Sequence, residues 1–193
     1  MKKVLSLAFL LLLLGCQFAA PHEFAGLELT APQPAPNFTL ESADGPVQLS
    51  DYQGKFVFLY FGYTFCPDAC PTTMTTLAQL QRQLGDDADQ VQVIMITIDP
   101  ERDTAENMAE YVAFFDDSFV GLTGEKAEID AAGAPFGVYY EKEEGSAATG
   151  YLMSHTTRVY LLDREQNARV AYALDADVDA IAADIQFLLN EKN

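Results

Sequence analysis

The chain has 193 residues, of which 49% are hydrophobic and 21% are charged, so it can bury a sizeable core, and global disorder is excluded. Its formal net charge is −18, and such a surface repels phosphate backbones and anionic lipid head groups. Nucleic-acid binding and electrostatic membrane docking are therefore disfavoured. The charge suits basic partners or cations, although it can also serve only to keep a soluble protein from self-associating.

The N-terminus has the pattern of a sorting signal. Two lysines follow Met1, and residues 4–14 are apolar apart from Ser6. Eleven helical residues span only about 16 Å, whereas the hydrocarbon core of a bilayer is about 30 Å thick. Residues 1–15 are therefore predicted to be a signal peptide and not a membrane span.

The end of this segment predicts a lipid anchor. Leu14-Gly15-Cys16 resembles the bacterial lipoprotein signal, although Leu14 is bulkier than the residue usual there. More than one acyl chain on Cys16 would give stable anchoring. We therefore expect the protein in a bacterial cell envelope, held on the outer (periplasmic or extracytoplasmic) face of a membrane. The alternative is ordinary signal cleavage near Ala19 and Ala20.

Acylation of Cys16 would leave Cys66 and Cys70 as a single pair of thiols in an oxidising compartment. The next segment, residues 16–35, contains several prolines and shows no hydrophobic periodicity. It is predicted to be a flexible tether. Residues 36–193 are predicted to form one folded domain.

Apolar runs and helical periodicity alternate along this domain. Residues 56–61, for example, form a continuous apolar run between two glycines, which is typical of a strand buried on both faces. The predicted elements, in chain order, are hairpin strands at 37–40 and 47–49, strand 56–61, helix 71–84, strand 91–98, helix 104–115, strand 120–122, helix 125–134, strands 138–140 and 157–162, strand 170–174 and helix 177–189. This order is that of a thioredoxin-like three-layer α/β/α sandwich with an extra N-terminal β-hairpin.

Two thiols lie in the turn between the first buried strand and its helix. Cys66 and Cys70 are one helical turn apart, so both sulfurs can face a single point, where the positive helix end stabilises a thiolate. Thioredoxins have Cys-x-x-Cys here, and the additional residue can hold the sulfurs apart for a shared ion. The alternative is a structural disulfide, which gains little from closing so short a loop.

A third soft ligand would have to come from one of the two histidines of the chain. His22 lies in the predicted tether, whereas His155 directly precedes the predicted strand 157–162. In a thioredoxin-like sheet the loop before this strand faces the cysteine turn, which favours a ligand role for His155, although a lone histidine is often structural. Two thiolates and one imidazole suit Cu(I), and a further weak ligand suits Cu(II). A structural zinc site would need a fourth ligand.

Three sequence blocks carry a family resemblance. They are residues 61–71 (Phe-Gly-Tyr-Thr-Phe-Cys-Pro-Asp-Ala-Cys-Pro), residues 97–104 (Thr-Ile-Asp-Pro-Glu-Arg-Asp-Thr), and His155 followed by Tyr-Leu-Leu-Asp at 160–163. Together and in this order they resemble the Sco/SenC family over roughly residues 35–189. Its members are thioredoxin-fold, membrane-anchored copper chaperones for the dinuclear CuA centre of cytochrome c oxidase.

The resemblance implies a set of copper ligands and partners. The ligands would be Cys66, Cys70 and His155, with one copper per chain. The partners would be cytochrome c oxidase subunit II and other copper chaperones or thiol reductants. Two positions depart from the family pattern: Phe65 stands where many members carry histidine, and Ser154 stands where an aspartate commonly precedes the ligand histidine.

Two aspartates are candidate supports for these ligands. Asp99 ends the second buried strand, so it is expected at the same edge of the sheet as the cysteines. The alternative is a simple turn and helix cap at 99–104, with Arg102 pairing locally. Asp68 lies between the cysteines and is expected to be solvated, or to touch a partner.

Two functions of different classes fit this sequence. The first is a metallochaperone, not a classical enzyme, that delivers copper to partner thiolates by ligand exchange. The second is a thiol–disulfide oxidoreductase that keeps the partner's copper-ligand cysteines reduced, which needs both thiols but not His155. A peroxiredoxin is disfavoured, because Tyr63 and Leu59 occupy the places of its threonine and proline.

Overall fold

The computed structural model describes residues 22–145 and 150–191. The predicted signal peptide, Cys16 and the first residues of the predicted tether lie outside these ranges. Among the helices that are described, none combines the length and the apolar character needed to cross a bilayer. In chain order the elements are β1 (Leu27–Pro34), β2 (Thr39–Ser42), β3 (Gly45–Gln48), β4 (Phe56–Gly62), α1 (Ala69–Leu84), β5 (Val91–Thr97), α2 (Ala105–Ala113), β6 (Val120–Leu122), α3 (Lys126–Gly133), β7 (Tyr140–Glu144), β8 (Tyr151–His155), β9 (Val159–Leu162), β10 (Asn167–Tyr172) and α4 (Val178–Asn190).

A six-stranded sheet with the order β1-β10-β9-β4-β5-β6 forms the centre of the domain. Every residue of β4 and β5 is buried. Because successive side chains of a strand point to opposite faces, this burial requires cover on both faces of the sheet. Helices α1 and α4 pack against each other, and α2 and α3 pack beside the β2–β3 hairpin. The predicted three-layer, thioredoxin-like fold with an extra N-terminal hairpin is confirmed.

The topology collects the predicted site residues at one edge of the sheet. Strands β4, β5 and β6 are parallel, so their carboxyl ends lie side by side. Strand β9 is antiparallel to β4, and its first residues therefore lie at that same edge. The cysteine turn after β4, the loop after β5 and the chain before β9 converge there, which is the usual place for a site in an open α/β sheet.

The structure differs from the sequence prediction in the segment assigned to a tether. Leu27–Pro34 forms β1, which pairs antiparallel with β10 at the edge of the sheet. Prolines are tolerated in an edge strand because one side of its backbone needs no partner. This strand was not predicted from the sequence, because the segment contains prolines and has no hydrophobic alternation.

The chain before β1 is held by a cluster that is here called the N-terminal clasp. It consists of His22, Ala25, Tyr172, Asp184 and Phe187. His22 Nε2 lies 2.7 Å from Asp184 Oδ1 on α4, and the His22 ring stacks on Phe187 with 4.2 Å between ring centres. The Ala25 N–H and the Tyr172 hydroxyl each donate to Asp184 Oδ2 at 2.9 Å. Asp184 is only 1% exposed, and these bonds satisfy its buried carboxylate. His22, which the sequence placed in a tether, is therefore part of the folded domain.

The second difference concerns the chain around His155. The sequence predicts strands at 138–140 and 157–162, whereas the structure adds the separate hairpin β7–β8, in which Tyr140 pairs with His155. Strand β7 is mostly exposed and rich in glutamate, so it has no apolar alternation to reveal it. His155 is the last residue of β8 and does not lie in a loop.

Candidate metal centre

The two cysteines occupy different parts of the turn between β4 and α1. Helix α1 begins at Ala69, two residues before the predicted start, so Cys70 lies in its first turn and Cys66 in the preceding loop. Cys70 is fully buried and Cys66 is half-buried, and both are free thiols. The structural disulfide considered as an alternative is thus not formed in this structure.

Hydrogen bonds make the two thiols chemically unequal. The Cys70 N–H donates to Cys66 Sγ at 3.4 Å. The Cys70 thiol bond, followed by the bond from the Asp68 N–H, lowers the pKa of Cys66 to about 3 against the opposing effect of burial. The pKa of Cys70 is raised, first because its thiol bonds to Cys66 and second because it is buried. The pair therefore shares one proton, with a thiolate at Cys66 and a thiol at Cys70.

His155 approaches the thiols from β8. Its Nε2 lies 3.9 Å from Cys70 Sγ, and its Nδ1 lies 2.9 Å from the carbonyl oxygen of Thr156. Because a carbonyl oxygen can only accept, Nδ1 carries the proton and the Nε2 lone pair is directed at the thiols. A sulfur and a nitrogen bound to one metal at about 2.3 and about 2.0 Å with trigonal angles stand about 3.7 Å apart, so this spacing suits a shared ion.

The structure thus brings together Cys66, Cys70 and His155, as the sequence analysis expected. Within residues 22–145 and 150–191, no group of three or more His, Cys, Asp and Glu side chains is already set up around one cation position. The three side chains are neighbours, but they do not form a finished coordination sphere.

Two residues that shape the surroundings of Cys70 were not in the predicted site. Tyr60 is buried in β4, and its hydroxyl donates to Cys70 Sγ at 3.3 Å. Gly62 leaves room for this sulfur, because a Cβ at Gly62 would lie 2.9 Å from Cys70 Sγ and 2.7 Å from Tyr60 Cε1. In the sequence Tyr60 has the pattern of a core aromatic, and nothing in that pattern reveals its bond to Cys70.

Asp99 lies at the expected edge of the sheet, where it supports the rim of the site. Its buried carboxylate accepts from Arg102 Nε and, at 2.7 Å, from the Tyr151 hydroxyl. Arg102 Cζ stands 3.6 Å from the centre of the Tyr151 ring and 4.6 Å from that of Phe65. Arg102 therefore pairs locally with Asp99, as the alternative had it, and the pair fixes side chains beside the cysteine loop. Support of the ligands by Asp99 stays a prediction. Asp68 is exposed, as expected, and its amide faces Cys66.

The buried side chain of Asp103 links β5 by hydrogen bonds to the loop that carries Cys66. Its carboxylate accepts from the Thr64 N–H at 3.0 Å, from the Thr64 hydroxyl at 2.5 Å and from the Thr97 hydroxyl at 2.6 Å. Thr64 lies two residues before Cys66, so these bonds fix the start of the loop that carries the thiolate. The sequence analysis included Asp103 only as part of a motif, because a contact across 39 residues leaves no local pattern.

The lowered pKa of Cys66 predicts unusual reactivity in acid. For an ordinary thiol with a pKa near 8.5, the fraction present as thiolate falls about tenfold for each pH unit below that value. Cys66 stays ionised above about pH 3, so the alkylation rate of the metal-free, reduced protein by iodoacetamide is expected to change less than about twofold between pH 8 and pH 5. Site-resolved mass spectrometry measures the rate at Cys66. The same residue in guanidinium-unfolded protein is the control, and an equally steep fall in the folded chain would refute the assignment.

Comparison with known proteins places these residues in a family context. The family model described as SCO1/SenC matches residues 28–190. The SCO2-like protein RC0895 of Rickettsia conorii is 31% identical over 157 residues, which cover 80% of this chain and 75% of the relative. The mitochondrial SCO1 homolog 1 of Arabidopsis thaliana is 36% identical over 146 residues, which cover 75% of this chain and 43% of the relative. The chain matches less than half the length of this and similar mitochondrial relatives.

Solved structures agree with the family model. Apo Sco1 from Thermus thermophilus superposes with a TM-score of 0.79 at 38% identity, covering 88% of this chain and 99% of that one. Copper-bound ScoI from Arabidopsis thaliana superposes with a TM-score of 0.77 at 33% identity, covering 83% and 100% of the respective chains. Since the family model spans most of the sequence, including both cysteines and His155, the chain belongs to the SCO1/SenC family.

Proposed function

We propose that this protein is a copper chaperone that carries one copper ion and passes it to the CuA centre of cytochrome c oxidase subunit II. The observation that carries the proposal is the convergence of Cys66, Cys70 and the Nε2 lone pair of His155 at one edge of the sheet. Two family members, from Arabidopsis thaliana and Bradyrhizobium japonicum, have been solved with copper bound. BsSco, a further relative, is a cytochrome c oxidase assembly protein.

The donor set suits copper as a transferable cargo. Thiolate and imidazole are ligands that Cu(I) accepts readily. Cys66 offers a thiolate at neutral pH without help, whereas Cys70 has to release its proton when the ion is loaded. An incoming thiolate can then replace the protein's ligands one at a time, so the ion is handed over without being released into solvent.

Substitution of His155 tests the ligand assignment. We expect the parent chain to bind one Cu(I) and His155→Ala to bind at least about 100-fold more weakly, because loss of a metal ligand exceeds the 10–100-fold cost typical of losing a supporting bond. Affinity is measured by competition with a chromogenic Cu(I) chelator under reducing conditions. His22→Gln is the matched control, since His22 is the other histidine of the chain and lies in the N-terminal clasp. Equal affinities of parent and His155→Ala would refute the assignment.

A second function, reduction of a partner disulfide, is favoured by the unequal thiols. The Cys66 thiolate can attack a partner disulfide, so that one partner sulfur leaves as a thiolate and a mixed disulfide forms. Cys70 then loses its proton and attacks Cys66, which forms the Cys66–Cys70 disulfide and releases the partner's second thiolate. This sequence makes no use of His155. Disulfide reduction that survives His155→Ala while copper binding is lost would show that the chain has both activities.

We also propose that Cys16 is acylated and holds the protein on the outer face of a bacterial membrane. The support is the short apolar segment that ends in Leu14-Gly15-Cys16. We expect the native chain in the membrane fraction, with an N-terminal peptide that begins at Cys16 and carries the mass of its acyl chains. Cys16→Ser is expected to lose this modification. Mature protein that begins after residue 19 and fractionates with soluble proteins would contradict the proposal.

A further inference from the structure

Phe65 is an exposed aromatic ring directly beside the half-buried cysteine. It is 53% exposed and lies between Thr64 and Cys66 in the chain. Thr64 is held in place by its hydrogen bonds to Asp103. The neighbouring aromatics Tyr60 and Tyr63 are buried. A large apolar side chain that is excluded from the core at the rim of a site is typical of a contact surface.

The Phe65 ring is held in place by a stack of side chains. Arg102 Cζ lies 4.6 Å from the ring centre of Phe65 and 3.6 Å from that of Tyr151. Arg102 is in turn fixed by Asp99 and by the carbonyl oxygen of Tyr151, to which its Nη1 donates at 3.1 Å. Because the ring is already ordered, little side-chain entropy is lost when a partner covers it.

The site admits an acceptor from one side. Cys70 is fully buried, whereas Cys66 is half-buried and its loop neighbours Phe65, Pro67 and Asp68 are exposed. An acceptor sulfur that takes part in ligand exchange has to come within a bond length of about 2.3 Å of the ion. The surface around that sulfur must then cover the exposed residues that flank Cys66.

We propose that Phe65 is the aromatic anchor of the docking surface for the copper acceptor, and that it inserts into an apolar recess rimmed by lysine or arginine. This inference rests on the proposed chaperone function. The basic rim is inferred from the net charge of −18 and from the exposed carboxylate of Asp68 beside Cys66. Opposite charges steer the encounter of the two proteins, and the buried ring supplies the affinity.

Transfer kinetics from the Cu(I)-loaded full chain test this proposal. The protein acceptor is a purified soluble CuA domain of cytochrome c oxidase subunit II, and a small Cu(I) chelator that needs no docking surface serves as the second acceptor. Phe65→Ala is expected to slow transfer to the CuA domain about tenfold, as loss of an interface anchor does, and to leave chelation unchanged. Phe65→Tyr keeps the ring and is expected to retain the parent rate. Added salt is expected to slow the protein transfer.

Phe114→Ala is the matched control, because Phe114 is 86% exposed at the end of α2 and is not part of this rim. It is expected to change neither rate. An unchanged transfer rate to the CuA domain in Phe65→Ala would overturn the proposal, as would slowing of both acceptors, which would assign Phe65 to the metal site itself. Transfer that becomes faster in salt would overturn the basic rim. Failure of the parent chain to bind copper would overturn the proposed function, and this inference with it.

Discussion

Oxidation of Cys66 and Cys70 to a disulfide is expected to reduce copper binding from one ion per chain to none. A disulfide offers no thiolate, and the copper site and the disulfide need the same two sulfurs. The two residues are close enough for this bond, since the Cys70 N–H already donates to Cys66 Sγ at 3.4 Å. The measurement is a copper titration of oxidised protein whose free thiols have been titrated to zero.

The experiment is cleanest in a Cys16→Ser background, where Cys66 and Cys70 are the remaining cysteines of the chain. Reduction with dithiothreitol, followed by removal of the reductant, should restore one copper per chain, which shows that the oxidised protein had not been damaged. Tight, stoichiometric binding by the fully oxidised form would mean that the thiols are not copper ligands.

Replacement of Asp103 by asparagine is expected to lower both stability and copper affinity. The carboxylate accepts the Thr64 hydroxyl at Oδ1 and both the Thr64 N–H and the Thr97 hydroxyl at Oδ2, and the NH₂ of asparagine would replace one of these two acceptors with a donor. Loss of these buried, charge-assisted bonds should reduce the free energy of unfolding in urea by about 3 kcal/mol. Copper affinity should fall about tenfold, because the loop that carries Cys66 is no longer held in place.

Asp163→Ala separates these two effects. Asp163 is also a buried carboxylate that holds a turn, and it accepts from the backbone N–H groups of Glu165 and Asn167 between β9 and β10. Its replacement should reduce stability and leave copper affinity unchanged. If both variants weaken copper binding equally, the effect of Asp103→Asn is one of general stability and not of the cysteine loop.

Elements with a strong local pattern were predictable from sequence. The apolar runs of β4 and β5 lie within one residue of their predicted bounds, because burial on both faces leaves no polar position inside the strand. Strand β1 was missed, and β7 was predicted only at its first residue, Tyr140, for the opposite reason. An edge strand with prolines and an exposed strand rich in glutamate carry no periodic signal.

The site residues divide in the same way. Cys66, Cys70 and His155 could be named as candidate ligands because their chemistry is rare in this chain and their spacing is informative. Asp103 and Tyr60 act through contacts that depend on the fold, and each has an ordinary structural role when read from its neighbours in sequence. A residue that contacts a candidate ligand only in the folded chain is thus harder to predict than the candidate ligand itself.

The N-terminal clasp sets the reach of an anchored protein. Six peptide steps separate Cys16 from His22, and at no more than about 3.6 Å per step they span about 22 Å, whereas a tether that ran to residue 36 could extend about 70 Å. With Cys16 acylated, as proposed above, the domain can explore only a thin layer next to the bilayer. Confinement to this layer raises its effective concentration toward acceptors that lie on the same membrane face and excludes those that stand farther out.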